Sequence, residues 1–137
     1  MFRCLAALLP GLALSACVAD APDTRRSVVI ERDRFSGPVE RVVDGDTFRI
    51  VGLNTSVRIW GLDAPERSER AGPRATATLR RPIEGQAVSC RLRDIDRYKR
   101  AVGQCFLPDG RDIAATMIAL GVATEYCRYS RGAYGTC

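Results

Sequence analysis

No histidine occurs anywhere in the 137 residues. That absence removes Ser-His-Asp and Cys-His catalysis, His-ligated zinc and a histidine pH switch. Any general base must be a carboxylate, or a perturbed Tyr, Cys or Lys. Lysine is nearly absent too: Lys99 stands alone among 21 basic residues, so the cationic chemistry belongs to arginine. The six cysteines include no Cys-x-x-Cys pair, which argues against zinc-ribbon and thioredoxin-type sites. No apolar run reaches the ~20 residues needed to span a bilayer. Internal repeats and low-complexity tracts are missing as well. What is present is ordinary for one folded domain: 46% apolar, 27% charged and a formal charge of +5.

The N-terminus reads as an address rather than a fold. Met1 to Cys17 places one cation, Arg3, ahead of a short uncharged apolar run, the pattern of a secretory signal. Leu14-Ser15-Ala16-Cys17 resembles a bacterial lipoprotein box, in which the cysteine is acylated and becomes the first mature residue. The alternative is ordinary cleavage after Ala21, with Ala19-Asp20-Ala21 as the small-x-small site and a soluble secreted product. Either route exports the protein to the cell envelope or beyond it. The chain thus divides into a lipoprotein-type signal peptide over residues 1–16, a polar linker over 17–38 and one domain over 39–137. In the first reading a membrane is a partner through the lipid on Cys17.

From Val39 onward the signals are mostly β. Val39 to Val43 is a β-branched run, and Asp44-Gly45 is a strong hairpin turn signal. Thr47 to Val51, Val57 to Leu62, Ala87 to Arg93 and Ala101 to Leu107 complete five strands. Within the linker, Ser27 to Ile30 has the composition of a short strand. Gly72-Pro73 opens a helix that Pro82 stops. Asp112 caps a second helix whose Ile113, Met117 and Leu120 share a face, and Gly121 ends it. Five strands and two helices in about 100 residues fit an α+β fold, a small five-stranded Greek-key barrel of the OB type.

Three polar constellations interrupt this pattern. Asp44-Gly45-Asp46-Thr47 reads first as a plain turn, but Asp46 is not needed by the turn. Val57-Arg58-Ile59-Trp60-Gly61-Leu62-Asp63-Ala64-Pro65-Glu66 is an apolar strand carrying one arginine and ending in two acids around a proline. Asp94-Ile95-Asp96-Arg97-Tyr98-Lys99-Arg100 reads alone as a solvated hairpin loop. Together they are more specific. Carboxylates on loops form a hard-oxygen site for calcium. Two arginines form a bidentate clamp for phosphate. One further carboxylate takes a proton from water. These are the parts for phosphodiester hydrolysis without histidine or a covalent intermediate.

The same residues resemble the thermonuclease, or staphylococcal nuclease, family. The likeness runs from about Val39 to Tyr129 and keeps the motifs in the family's order, followed by matching Asp-Gly-Arg-Asp-Ile and Leu-Gly-Val-Ala segments. It implies a five-stranded OB barrel and calcium-dependent cleavage of DNA and RNA, with nucleic acid as the partner. Carried over by position, the resemblance makes Asp46, Asp63 and the backbone carbonyl of Ala64 the calcium ligands. Glu66 matches the general base, and Arg58 and Arg100 match the two phosphate-binding arginines. Asp44 and Asp96 would orient the site, and Tyr98 and Tyr129 are candidates for nucleotide contacts. The loop between Glu66 and Gly72 is shorter than the prototype's, and Pro82 truncates the helix that follows. The protein is expected to be a monomer, and the competing reading is a nucleic-acid-binding OB module without catalysis, since that fold often only binds. With aromatics at 7%, a backbone grip is expected rather than a long base-stacking platform.

Export makes the remaining cysteines disulfide candidates. Val88, Cys90 and Leu92 alternate with Ser89, Arg91 and Arg93, placing Cys90 on an inward face; Cys105 faces the same way in its own strand. An antiparallel hairpin centred between Arg97 and Tyr98 makes Cys90 and Cys105 direct partners. Cys127 then pairs with Cys137, pinning a tail that lacks the prototype's last helix. Two free thiols at 90 and 105, buried in the barrel core, are the alternative.

Overall fold

The computed structural model describes residues 27–137. The signal peptide over 1–16, Cys17 and the start of the linker lie outside the described residues. Eleven elements follow in order: β1 Val29–Glu31, β2 Arg34–Asp44, β3 Thr47–Ile50, β4 Ser56–Ile59, β5 Leu62–Asp63, α1 Gly72–Ile83, β6 Ala87–Ile95, β7 Ala101–Phe106, α2 Ile113–Ala119, β8 Thr124–Glu125 and α3 Cys127–Ser130. Among the described residues no helix is long and apolar enough to cross a membrane.

The barrel closes because β2 is long enough to serve two neighbours. Its first half pairs with β6, Phe35 opposite Cys90, and its second half pairs with β3, Val42 opposite Phe48. The sheet then runs β3–β4–β7–β6 and returns to β2. Every pairing is antiparallel except β4 with β7, where Val57, Arg58 and Ile59 lie opposite Ala101, Val102 and Gly103. This is the OB barrel expected from the sequence. Phe48, Val57, Leu79 and Ile83 are wholly buried, and Ile50, Ile59 and Met117 nearly so, in one core that includes both long helices.

Residues 29–31 and 34–38 belong to the sheet, which corrects the linker boundary at 38. Phe35 and Val39 point into the core while Arg34 and Glu40 face water, so the charge that reads as linker is the outer face of an amphipathic strand. Gly37-Pro38 is not a break. A side chain at Gly37 would come within 2.8 Å of Ile50 Cγ2, and the Pro38 carbonyl accepts from Val51 N–H at 3.0 Å. Three smaller corrections follow, two in the helices and one in a strand. Helix α1 runs one residue past Pro82 and ends where Glu84 turns extended. Leu120 lies beyond α2 and is exposed, whereas Ile113 and Met117 are buried. Residues 62–63 form a separate short strand against β8.

Both disulfides are present, Cys90 with Cys105 and Cys127 with Cys137. Cys90 and Cys105 are direct register partners on β6 and β7, with Cα atoms 4.1 Å apart. The hairpin reaches that register by a less simple route than a symmetric turn. Ile95 pairs with Ala101 around a turn centred on Tyr98, and a bulge at Arg93 restores the register before Leu92 meets Gly103. Replacing both Cys90 and Cys105 by alanine should lower unfolding stability by at least ~3 kcal/mol, the chain-entropy value for a loop of this size. Urea midpoints of the oxidised protein and the double variant check this.

Candidate active site

The hairpin between β2 and β3 turns on two residues, Gly45 and Asp46, with Asp44 opposite Thr47. Gly45 is required for space: a Cβ there would sit 2.7 Å from the Ala64 methyl and 2.8 Å from that of Ala75. The close approach brings the end of β5 against the turn. Ala64 N–H donates to Asp46 Oδ2 at 3.2 Å, and the Thr47 hydroxyl donates to Asp46 Oδ1 at 2.9 Å. Asp46 is 95% buried, since only 5% of its surface is exposed.

Arg58 is what makes that burial tolerable. It projects from β4, the strand paired with β3, and its Nη1 forms an ion pair with Asp46 Oδ1. Its Nη2 donates to the Leu62 carbonyl at 3.2 Å and lies 4.0 Å from Asp63 Oδ1. Burial alone would lower the guanidinium pKa, but the charges of Asp46, Asp63 and Asp44 outweigh it and raise it. Asp44 accepts from Asp46 N–H at 3.1 Å. Burial first, and then the Asp46 charge, raise the Asp44 pKa above the usual carboxylate value.

Arg100 arrives from the neighbouring strand, at the end of the β6–β7 loop just before Ala101, the register partner of Val57. Asp96 organises that loop by accepting from the N–H groups of Tyr98 and Arg100, both at 2.9 Å, and from Arg100 Nε at 2.7 Å. Slight burial would raise its pKa, but these donors and the Arg100 charge lower it. Lys99 takes a left-handed conformation, φ +64°, and its carbonyl accepts from the Thr55 hydroxyl at 2.6 Å, tying the loop to the barrel. The Arg100 guanidinium lies 5.3 Å from the Tyr98 ring centroid.

Glu66 follows β5 on a tight exposed loop. Its carbonyl accepts from Glu69 N–H at 2.9 Å, and its own N–H donates to Glu69 Oε1 at 3.3 Å. The loop closes over the start of α1, where the Glu66 carbonyl occupies the space a Gly72 side chain would need. Gly72→Ala should therefore displace Glu66 while leaving Arg58 in place. A selective loss of turnover, with the fold intact by circular dichroism, is the expected outcome.

Asp44, Asp46, Arg58, Glu66 and Arg100 line one cleft of about 770 Å³, with the exposed Tyr98 and Tyr129 on its rim. Asp63 and Ala64 line an adjoining depression, and Glu66 borders both. The structure thus gathers the sequence-predicted residues but divides them between two connected hollows. It also adds Trp60, Arg93, Tyr126 and Arg128 to the cleft wall, none of which the sequence analysis singled out. Their only signal was proximity in the chain to residues already chosen.

The donor chemistry fits a hard cation. Asp46, Asp63 and the Ala64 carbonyl offer oxygen only, the donor type a hard cation takes, and the Asp44 carboxylate lies beside Asp46. Among the described residues no three ligating side chains are gathered at one point.

The wall that carries Arg128 and Tyr129 is fastened by a buried acid. Glu125 accepts from the Ser130 hydroxyl at 2.5 Å, from the N–H groups of Tyr134 and Thr136 at 3.0 and 2.8 Å, and from the Thr136 hydroxyl at 2.8 Å. Burial would raise its pKa, but these four donors lower it to about 2 from 4.5. The depressed folded value stabilises the protein above pH 4.5, and that stability is lost as pH falls towards 2. Glu125→Gln should therefore flatten this part of the stability–pH curve, measured as urea midpoints for both proteins.

Fold and cleft together define an OB-barrel protein that sets arginines beside carboxylates at one mouth of the barrel. Residues 56–136 match the family described as staphylococcal nuclease homologue, and the chain belongs to that family. It is 34% identical over 96 residues to an Escherichia coli O157:H7 protein named an uncharacterized endonuclease, covering 69% of this chain and 63% of that one. It is 31% identical over 107 residues to a Shigella flexneri micrococcal nuclease, covering 71% and 62%. A probable endonuclease of Meyerozyma guilliermondii is 30% identical over 137 residues, covering 76% and 60%. The chain spans less than two thirds of the length of these relatives.

Proposed function

We propose that the protein is a calcium-dependent nuclease that hydrolyses phosphodiester bonds of DNA or RNA with little sequence preference. The observation that carries this reading is that Arg58, Arg100 and Glu66, from three separate segments, line the same cleft beside buried Asp46. The relatives named as nucleases support it. Arg58 and Arg100, from neighbouring strands, hold the scissile phosphate and neutralise the charge that grows on it. Glu66 accepts a proton from the attacking water. Asp46, Asp63 and the Ala64 carbonyl would hold calcium, which supplies further charge neutralisation at the phosphate when bound. Asp46 also aims Arg58, through their ion pair.

We propose further that a lipid on Cys17 holds the protein in the cell envelope, the alternative being a soluble secreted protein. Cys17→Ser should release the protein from membranes in a fractionation assay.

The test of function is plasmid cleavage by the purified protein in calcium and in a calcium chelator. Cleavage in calcium and its loss in chelator are expected. Undiminished cleavage in chelator would overturn the metal dependence. Binding without cleavage at every calcium level would favour a non-catalytic OB module.

A further inference from the structure

We infer that Arg93 and Arg128 form a second phosphate subsite in the cleft, one that grips a strand beside the scissile position. The inference rests on the nuclease reading for its substrate class, but on different residues. Among the described residues, Arg58 and Arg100 are engaged by carboxylates, whereas no carboxylate oxygen lies within 4.0 Å of a nitrogen of Arg93 or Arg128. Both line the same cleft as the proposed reaction site. Arg93 lies over the Trp60 ring, 4.7 Å from its centroid, and donates from Nη2 to Gln104 Oε1. Five N–H donors are available on a guanidinium, so this single bond leaves most of its edge for an oxyanion.

The position of Arg93 is built rather than incidental. It stands at the bulge of β6, which breaks the regular alternation at that point. Gln104 is itself fixed, donating from Nε2 to Asp112 Oδ2 at 2.9 Å. The Tyr134 hydroxyl donates to the same Asp112 oxygen at 3.2 Å, and the Tyr134 ring lies 5.9 Å from that of Trp60. Tyr134 belongs to the loop closed by Cys127–Cys137, the loop that also carries Arg128. One disulfide-closed loop thus presents Arg128 directly and sets Arg93 through Tyr134, Asp112 and Gln104. Gln104 is a positioning residue in this arrangement.

A phosphate on a polynucleotide and free phosphate share the required chemistry, and length dependence separates them. Binding is measured in calcium-free buffer on the full protein, with a dinucleotide and a single strand of about twelve nucleotides as probes, and inorganic phosphate as competitor. Arg93→Ala should weaken binding of the longer strand about tenfold, by more than it weakens the dinucleotide. It should also reduce the slope of log Kd against log salt by about 0.7, the value for one lost contact to a single strand. Gln104→Ala should move both quantities the same way by a smaller amount. Weakening that is equal for both probes, or an unchanged salt slope, overturns the subsite. Arg93→Ala that weakens competition by inorganic phosphate as much as it weakens the longer strand would instead identify a free-phosphate site and overturn the strand assignment. Cleavage of the twelve-nucleotide strand by the unsubstituted protein in calcium is read separately. Its absence at every calcium level refutes the nuclease reading, while the binding measurements still decide the subsite.

Discussion

Arg58→Ala should cost about 10²–10³ in kcat, the usual effect of removing one preorganised donor to a developing anion. It should also destabilise the fold, and the two effects have one structural source. Asp46 has 8% of its side chain exposed and is ion-paired to Arg58. Without that partner it keeps only the donors from Thr47 and Ala64, and it faces Asp44, whose pKa burial and the Asp46 charge already raise. Breaking a buried pair costs ~3–5 kcal/mol, and the lower end applies here because the pair is not fully excluded from water. Arg58→Lys separates the effects. An ammonium restores charge beside Asp46 and recovers part of the stability, but it does not reproduce the fork that spans Asp46, the Leu62 carbonyl and a phosphate. The lysine variant should therefore be closer to wild type in urea midpoint than in kcat. Equal recovery of both would mean that Arg58 acts by charge alone.

Glu66→Gln should lose about 10²–10⁴ in kcat, the range assigned to a positioned general base. Nucleic-acid affinity should be retained. The side chain is exposed, and the contacts that place the loop are made by its backbone, through Glu69 N–H and Glu69 Oε1. Glutamine preserves the shape and those backbone bonds while removing the proton acceptor. The expected signature is a fall in kcat with Kd for nucleic acid unchanged, and no shift in urea midpoint. Wild-type turnover in this variant would remove Glu66 from the role of base.

The strands were legible because they alternate and their turns are marked by Asp-Gly pairs; their closure into a barrel was implied by the family resemblance and not by periodicity. Asp44-Gly45 and Asp109-Gly110 both fall at turns, and Asp112 caps α2 by accepting from Ala115 N–H at 3.2 Å. The disulfide between Cys90 and Cys105 was legible for the same reason, since inward alternation on two strands of a hairpin leaves few partners. The start of the sheet was not. Arg34, Ser36 and Glu40 give residues 34–40 a polar look, yet Phe35 and Val39 alone suffice to bury one face. Gly37-Pro38 resembles punctuation, but the tight approach of Ile50 explains the glycine.

The candidate site divides in the same way. Asp46, Arg58, Glu66 and Arg100 stand in short local motifs, so their gathering could be anticipated. The far wall could not. Arg93 owes its position to a bulge, and Arg128 to a tail held by Glu125, which accepts from residues up to eleven positions away. Neither leaves a local pattern in the chain. The hydrogen-bond chain from Tyr134 to Arg93 spans 41 positions of sequence and exists only in the folded protein.

Cleavage of an end-labelled single-stranded oligonucleotide, measured with binding in the same samples, tests the central claim most directly. Wild-type protein in calcium should bind the strand and cut it, Glu66→Gln should bind it and leave it largely intact, and a chelator should stop the wild-type reaction. Wild-type protein that binds the strand and leaves it whole at every calcium concentration would contradict the assignment of this cleft to phosphodiester hydrolysis.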